Sequence, residues 1–160
     1  MRGFWLVLVA LLLLSGRSSA QLSISLTFVS DPSGIALSGS GTSAAAMSFG
    51  TIQAFGGTVP SGVTKSVGAN SWTLSTSIDI TVQKGALDLL SPSYTLTASL
   101  QTSDLTNTWK FNAVTLSTTA ATITSAGAYG TTANSFSLTV PFSASAGAIS
   151  NTINFTVTAN

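Results

Sequence analysis

Two alternating runs close to the C-terminus constrain the fold more than any other feature of the chain. Apolar residues fall on every second position of Ser135–Phe142, and a second apolar set shares one parity in Ile149–Ala159. A period of two is typical of a strand with one buried and one solvated face. The few residues between the runs are short enough for a hairpin-type connection. We therefore predict two closing strands joined in this way, the last of which presents Ile149, Ile153, Phe155, Val157 and Ala159 on one face.

The first twenty residues have the three parts of a secretory signal peptide. Arg2 supplies positive charge, Phe4–Leu14 is an unbroken apolar run, and Ser18–Ala20 offers small side chains for a cut before Gln21. The apolar run is too short for a bilayer, which a helix spans with about 20 residues. We expect this segment to be removed and the chain to be secreted. Residues 21–160 then form one domain without a membrane span.

Further alternating segments predict strands along the whole domain. Gln21–Val29 predicts a strand at its start, Ser71–Val82 predicts the longest strand, and Tyr94–Leu100 predicts another. No segment shows a convincing helical period. Seven or eight short strands with turn residues between them favour an all-β sandwich or barrel. The apolar side chains of the first strand are Leu22, Ile24, Leu26 and Phe28.

Two segments interrupt this pattern. The apolar parity flips between Phe111 and Val114, which predicts a β-bulge within one strand. Ser125–Asn134 contains glycines and few large apolar residues, so it is expected to be a loop.

The mature chain carries very little charge. It has three lysines and four aspartates, with no Arg, Glu or His, so its net charge after cleavage is −1. A nucleic-acid surface needs clustered Lys and Arg to neutralise phosphates, and an anionic membrane surface attracts the same clusters. We therefore expect neither partner. Low charge also leaves little repulsion between copies, which favours self-association.

The chain lacks the side chains on which most enzymes and transition-metal sites depend. Without His or Cys, neither a Ser–His nucleophile pair nor a zinc or copper site has its usual groups. The four aspartates are spread along the sequence and show no paired arrangement for acid–base chemistry. We predict no enzymatic activity, no catalytic residue and no cofactor. A weak calcium site at Asp31 and Asp88 remains open as an alternative.

Aromatic residues raise the alternative of glycan binding by ring stacking. Trp72 and Tyr94 lie in phase with the apolar faces of their strands and are expected in the core. Trp109 and Tyr129 are the candidate ligand aromatics, the latter because it follows closely after Gly127 and precedes Gly130.

With these residues laid out, the mature chain resembles the secreted bacterial pilin and spore coat protein U-like superfamily. The resemblance rests on the signal peptide, the alternating Leu22–Phe28, a Met47–Ile52 patch similar to an early "FGxI" motif, and the final strand. Chaperone–usher pilins carry a glycine fourteen residues from the C-terminus with alternating apolar positions after it, which is the place of Gly147 here. The chain departs from that pattern at Ala159, where pilins have an aromatic residue, and in having no disulfide.

This resemblance implies an incomplete immunoglobulin-like antiparallel sandwich of about seven to eight strands. Its missing strand would come from the N-terminal segment, residues 21–29, of the next subunit. Strand addition of this kind gains main-chain hydrogen bonds, while alternate side chains fill pockets. The implied partners are further copies of the chain and a periplasmic chaperone, in the periplasm or at the surface of a bacterial cell.

Two interpretations of the first strand follow. Burying its four apolar side chains is worth about 6–12 kcal/mol before entropy costs, which is comparable with the stability of a whole domain. If the strand closes a neighbour's sandwich, the chain is a non-enzymatic structural subunit of a surface fibre, pilus or coat. If it closes its own sandwich, the chain is a monomeric secreted binding module for a glycan or another surface ligand.

Overall fold

The computed structural model describes residues 24–28, 36–38, 44–49, 52–84, 89–145 and 147–160, with only the backbone in the first two ranges. The predicted signal peptide, Leu22, Asp31 and Asp88 therefore lie outside the described residues. All regular structure in the described ranges is β-strand. The strands are β1 (Ile24–Phe28), β2 (Ala36–Ser38), β3 (Ala44–Ser48), β4 (Thr64–Val67), β5 (Ser71–Val82), β6 (Tyr94–Leu100), β7 (Thr108–Phe111), β8 (Val114–Thr115), β9 (Ala121–Gly127), β10 (Gly130–Pro141) and β11 (Ser150–Ala159).

The strands form two antiparallel sheets that pack as a sandwich. Within the described ranges, a six-stranded sheet has the order β1-β5-β10-β7-β8, with β4 also beside β5. A five-stranded sheet has the order β2-β3-β11-β6-β9. Buried apolar side chains from both sheets belong to one core cluster, which confirms the predicted all-β sandwich.

β5 and β10 form the centre of the larger sheet. Every residue from Ser71 to Val82 has a partner in β10, which runs the full length of β5 in the opposite direction. Alternate side chains of β5 are buried, as are those of β6, so the strands predicted at Ser71–Val82 and Tyr94–Leu100 are confirmed. Aromatic contacts join this sheet to the rest of the core: Phe136 stacks on Phe49 at 5.6 Å between centroids, and Phe111 meets Phe155 edge-on at 5.3 Å.

The two closing strands are present, but the predicted hairpin between them is wrong. β10 lies in the six-stranded sheet between β5 and β7, whereas β11 lies in the five-stranded sheet between β3 and β6. The connection therefore crosses from one sheet to the other. A hairpin and a crossing both place alternate residues in the core, so the period of two could not tell them apart.

The predicted bulge between Phe111 and Val114 is also wrong, because these two residues face each other across a hairpin. Asn112 and Ala113 form its two-residue turn and have φ angles of 48° and 65°. Two consecutive positive φ values are those of a type I′ turn, whose twist matches that of the strands it joins. The two turn residues account for the flip in apolar parity.

The loop predicted at Ser125–Asn134 is largely strand, since β9 continues to Gly127 and β10 begins at Gly130. The short break between them is the turn. Gly127 lies opposite Tyr94 in the neighbouring strand, and the tyrosine ring fills the place where a side chain would be. A Cβ atom on Gly127 would lie 2.3 Å from Cζ of Tyr94.

Gly127→Ala should therefore destabilise the fold by about 1–3 kcal/mol, the usual cost of overpacking, because the displaced Tyr94 ring is itself buried. Urea unfolding of the mature chain measures the change. Gly147→Ala is the matched control: no atom lies within 4 Å of the added Cβ, so its effect should stay within about 0.5 kcal/mol. Equal effects of both substitutions would contradict the packing role of Gly127.

Ala113→Gly should stabilise the protein by about 0.5–1 kcal/mol. A left-handed conformation costs a residue with a Cβ about 1–2 kcal/mol, and relief of this strain outweighs the extra chain entropy of glycine. Ala121→Gly, in β9, is the control for the entropy term and should destabilise by about 0.5–1 kcal/mol. Unfolding midpoints that fall for both variants would argue against a strained turn at Ala113.

Candidate functional site

On one side, β11 has a described neighbouring strand along only about half of its length. β11 pairs with β6 over Ile153–Ala159, but its pairing with β3 on the other side ends at Asn154. Among the described strands, none pairs with residues 155–159 on that side. We call this segment the open edge.

At every second residue of the open edge, the backbone N–H and C=O groups point away from β6. Gln101 N donates to Thr152 O at 2.8 Å, and Asn160 N donates to Ser93 O at 3.0 Å. Even-numbered residues of β11 thus direct their N–H and C=O groups towards β6, because these groups alternate between the two sides of a strand. The backbone groups of Phe155, Val157 and Ala159 therefore face the side on which no described strand pairs with them.

Side chains of the same three residues face the interior of the sandwich. Phe155 is buried, while Val157 and Ala159 are half-buried, and Thr156 and Thr158 between them are exposed. Ile153, further along the same face, is fully buried. An added strand would thus find both unpaired backbone groups and an apolar inner surface, as strand addition requires.

β1 lies on the same flank of the molecule as the open edge, but it belongs to the larger sheet. β1 pairs with β5 of its own chain, with Ile24, Leu26 and Phe28 opposite Val82, Ile80 and Ile78. β8 contacts β9, so these two strands mark one flank of the sandwich. The opposite flank carries β1 and β4 in one sheet and β2 and β3 in the other.

A large apolar cavity lies at the end of the sandwich where β5 begins and β10 ends. We call it the end cavity; its volume is about 880 Å³. β3 ends and β11 begins at this level, and described residues that follow β3 and precede β11 line part of the cavity. The residues that line the end cavity are Ser48, Phe49, Ile52–Phe55, Trp72, Leu74, Leu138, Val140–Phe142, Ala144, Ser145 and Gly147–Ile149.

Two exposed phenylalanines contribute to the lining of the end cavity. Phe55 and Phe142 are 66% and 36% exposed, and their rings stack on each other at 4.9 Å. The segment that carries Phe55 is held by Lys65, whose Nζ donates to the carbonyls of Gln53, at 2.9 Å, and Gly56. Positive φ angles at Gly56 and Gly57 allow this segment to turn sharply.

Trp109 is buried in the core, with only 1% of its surface exposed. Its Nε1 donates to Asp104 Oδ2 at 2.7 Å, and Asp104 also accepts hydrogen bonds from the backbone of Thr106 and Asn107. The indole therefore has no free face for a ligand. The prediction that Trp109 stacks on a ligand therefore does not fit its position in the core. Its hydrogen bond to Asp104 instead links the 101–107 connection to the core.

Tyr129 is half-buried at the opposite end of the sandwich from the end cavity. Its hydroxyl is 2.7 Å from Ser91 Oγ and donates to Ser93 O at 3.1 Å. Its ring contacts Tyr94 and lies under the ammonium of Lys84, 5.1 Å from the ring centroid. Both the hydroxyl and the ring of Tyr129 thus make contacts within the domain.

The predicted assembly residues do not form one site. β1 lies on β5, and Ile153 is buried in the core opposite Ala45 of β3. Phe155, Val157 and Ala159 lie on the open edge, whereas Gly147 and Ile149 line the end cavity. Sequence reasoning missed the cavity itself. Two features of the sequence indicate the cavity: the glycine-rich segment after Phe55, and the position of Phe142 directly after Pro141, where β10 ends.

Comparisons with known proteins assign no family, since no protein-family model and no curated protein matches the chain. Within the described ranges, no helix has the length and apolar character needed to cross a membrane.

The hydrogen bonds of Asp104 predict an acid-dependent loss of stability. Burial raises the pKa of this carboxyl, but the bonds donated by Asn107, Trp109 and Thr106 outweigh it and hold the pKa below its ordinary value of 3.8. A folded-state pKa below the unfolded value gives stability that is present above about pH 4 and is lost as the pH falls through the folded pKa.

Asp104→Asn removes the carboxylate and cannot accept every one of these bonds. It should destabilise the protein at about pH 6 and have a smaller effect at about pH 3, because protonation of this carboxyl in the unfolded chain has by then removed part of the stability that the carboxylate contributes. Urea unfolding of both proteins at the two pH values measures the difference. A destabilisation that is identical at both would show that the charge of Asp104 contributes nothing.

Proposed function

We propose that the chain is a secreted, non-enzymatic structural subunit of a surface fibre, pilus or coat, which assembles by strand addition at the open edge. The observation that carries the proposal is the half-covered side of β11, where the described strands leave residues 155–159 unpaired. An uncovered strand edge is a template for another chain unless it is protected. No charged side chain protects it here, since Phe155–Ala159 contains only apolar residues and threonines.

The strand order supports an immunoglobulin-like type for this subunit. Immunoglobulin domains have the order A-B-E-D in one sheet and C-F-G in the other. β5, β10 and β7 correspond to B, E and D, while β6 and β11 correspond to C and F. In this scheme β3 takes part of the place of strand G, along Ser150–Asn154 only, and an added strand would take the rest.

The N-terminal segment is the proposed donor. Its alternating apolar residues suit an edge whose inner face is apolar, and in the single chain it occupies a ladder of five pairs on β5. The open edge is also five residues long. Moving the strand to a neighbour thus replaces one ladder of five residues by another of similar length, so the free-energy difference is small and assembly should depend on concentration.

Val157→Pro tests strand addition directly. Proline removes the Val157 N–H, which faces the open edge, and leaves the ladder with β6 intact because that ladder uses the even-numbered residues. We expect mature protein to form oligomers or fibres by light scattering and negative-stain microscopy, and the proline variant to remain monomeric. A chain lacking residues 21–29 should also lose assembly.

Val157→Ala is the matched control, since it shortens the same side chain but keeps the N–H group. It should retain most of the assembly of the wild type. Wild-type protein that stays monomeric up to high concentration, or a proline variant that assembles normally, would refute strand addition at this edge.

The second candidate function is a monomeric secreted binding module in which β1 closes its own sheet. The end cavity favours it, because pockets of roughly 300–1,000 Å³ with apolar walls are typical of ligand sites. For this function, the glycan-stacking role predicted for Trp109 and Tyr129 has little support, since both side chains are occupied within the domain.

A further inference from the structure

We infer that the end cavity binds a neutral amphiphile: a small molecule with an apolar body and one uncharged polar end. The inference does not rest on strand addition, because the open edge lies at the other end of β11 from the cavity.

The walls of the end cavity are built from core side chains. Phe49, Leu74, Leu138 and Val140 are all less than 5% exposed, and Trp72 is 9% exposed. The cavity is partly open to solvent, and its lining is more apolar than polar, so the walls offer water few hydrogen-bond partners. An apolar ligand body would pack against Phe55, Phe142 and the half-buried Ile149, whose surfaces the protein leaves partly uncovered.

Charge decides the class of ligand. None of the residues that line the end cavity is charged. Lys65, which lies close to the lining segment, already uses its ammonium group to bind the carbonyls of Gln53 and Gly56. A carboxylate or ammonium group inside the cavity would lose its hydration without gaining a partner of opposite charge, which is costly. The ligand is therefore uncharged.

Gln53 provides the polar contact. Its side chain is exposed, and its amide group makes no hydrogen bond to another described residue. It can both donate and accept a hydrogen bond, which suits a hydroxyl or amide at one end of the ligand. Ser145 adds a further hydroxyl to the lining.

Phe55 and Phe142 mark the mouth. An exposed pair of stacked aromatic rings beside an apolar cavity is unusual on a protein surface and commonly marks a binding site. Stacking holds the two rings in place without a ligand, so part of the ordering cost of binding is already met.

Fluorescence titration with N-phenyl-1-naphthylamine, a neutral apolar probe, tests the inference on the mature chain. We expect saturable binding of one probe per chain. Dodecanol should displace the probe at a concentration at least about tenfold lower than dodecanoate, which has the same chain length but a charged end. Absence of saturable binding to folded protein would overturn the inference, and equal displacement by both would overturn the assignment of a neutral ligand.

Two variants locate the site. Ala148→Phe places a ring in the lining from an exposed position, and Phe142→Ala removes half of the aromatic pair; each should weaken probe binding at least about tenfold. Ala133→Phe is the matched control, since Ala133 is exposed on β10 outside the cavity lining, and it should bind the probe like the wild type. Urea unfolding checks that every variant is folded. Unchanged binding in both cavity variants would show that the probe binds elsewhere.

The same titration on Val157→Pro separates this inference from the proposed function. Probe binding should be unchanged in that variant whether or not assembly is lost. Binding that disappears together with assembly would place the probe at a contact between copies and would overturn the cavity assignment.

Discussion

The pairing of β5 with β10 is the constraint on which the rest of the structure depends. It is the longest ladder in the described chain, with a partner for every residue from Ser71 to Val82. Its inward side chains, including Ile78, Ile80 and Phe136, are almost completely buried and form one wall of the core. The smaller sheet and both candidate sites are positioned against that wall.

Both candidate sites lie where described strands of the smaller sheet end. At one end, β3 ends at Ser48 and β11 begins at Ser150, and the end cavity lies beside these strand ends. Along one flank, β3 pairs with only the first half of β11 and leaves the open edge. The chain also carries little charge that would keep copies apart.

The strands that could be predicted from the sequence are those with a clean period of two, such as Ser71–Val82 and Tyr94–Leu100. Errors arose where geometry beyond one strand decided the outcome. The type I′ turn at Asn112 and Ala113 lacks the glycine that usually marks it, and Gly127 is strand because the Tyr94 ring covers it. Trp109 is core because the aspartate that satisfies its N–H lies on the preceding connection.

The sequence by itself determined the class of structure, because the alternation of side chains along a strand is a local property. Only the tertiary structure decided which strands are neighbours. The period of two places a residue on a face but does not select its partner strand, and a cavity or an open edge depends on where several distant strands end relative to one another.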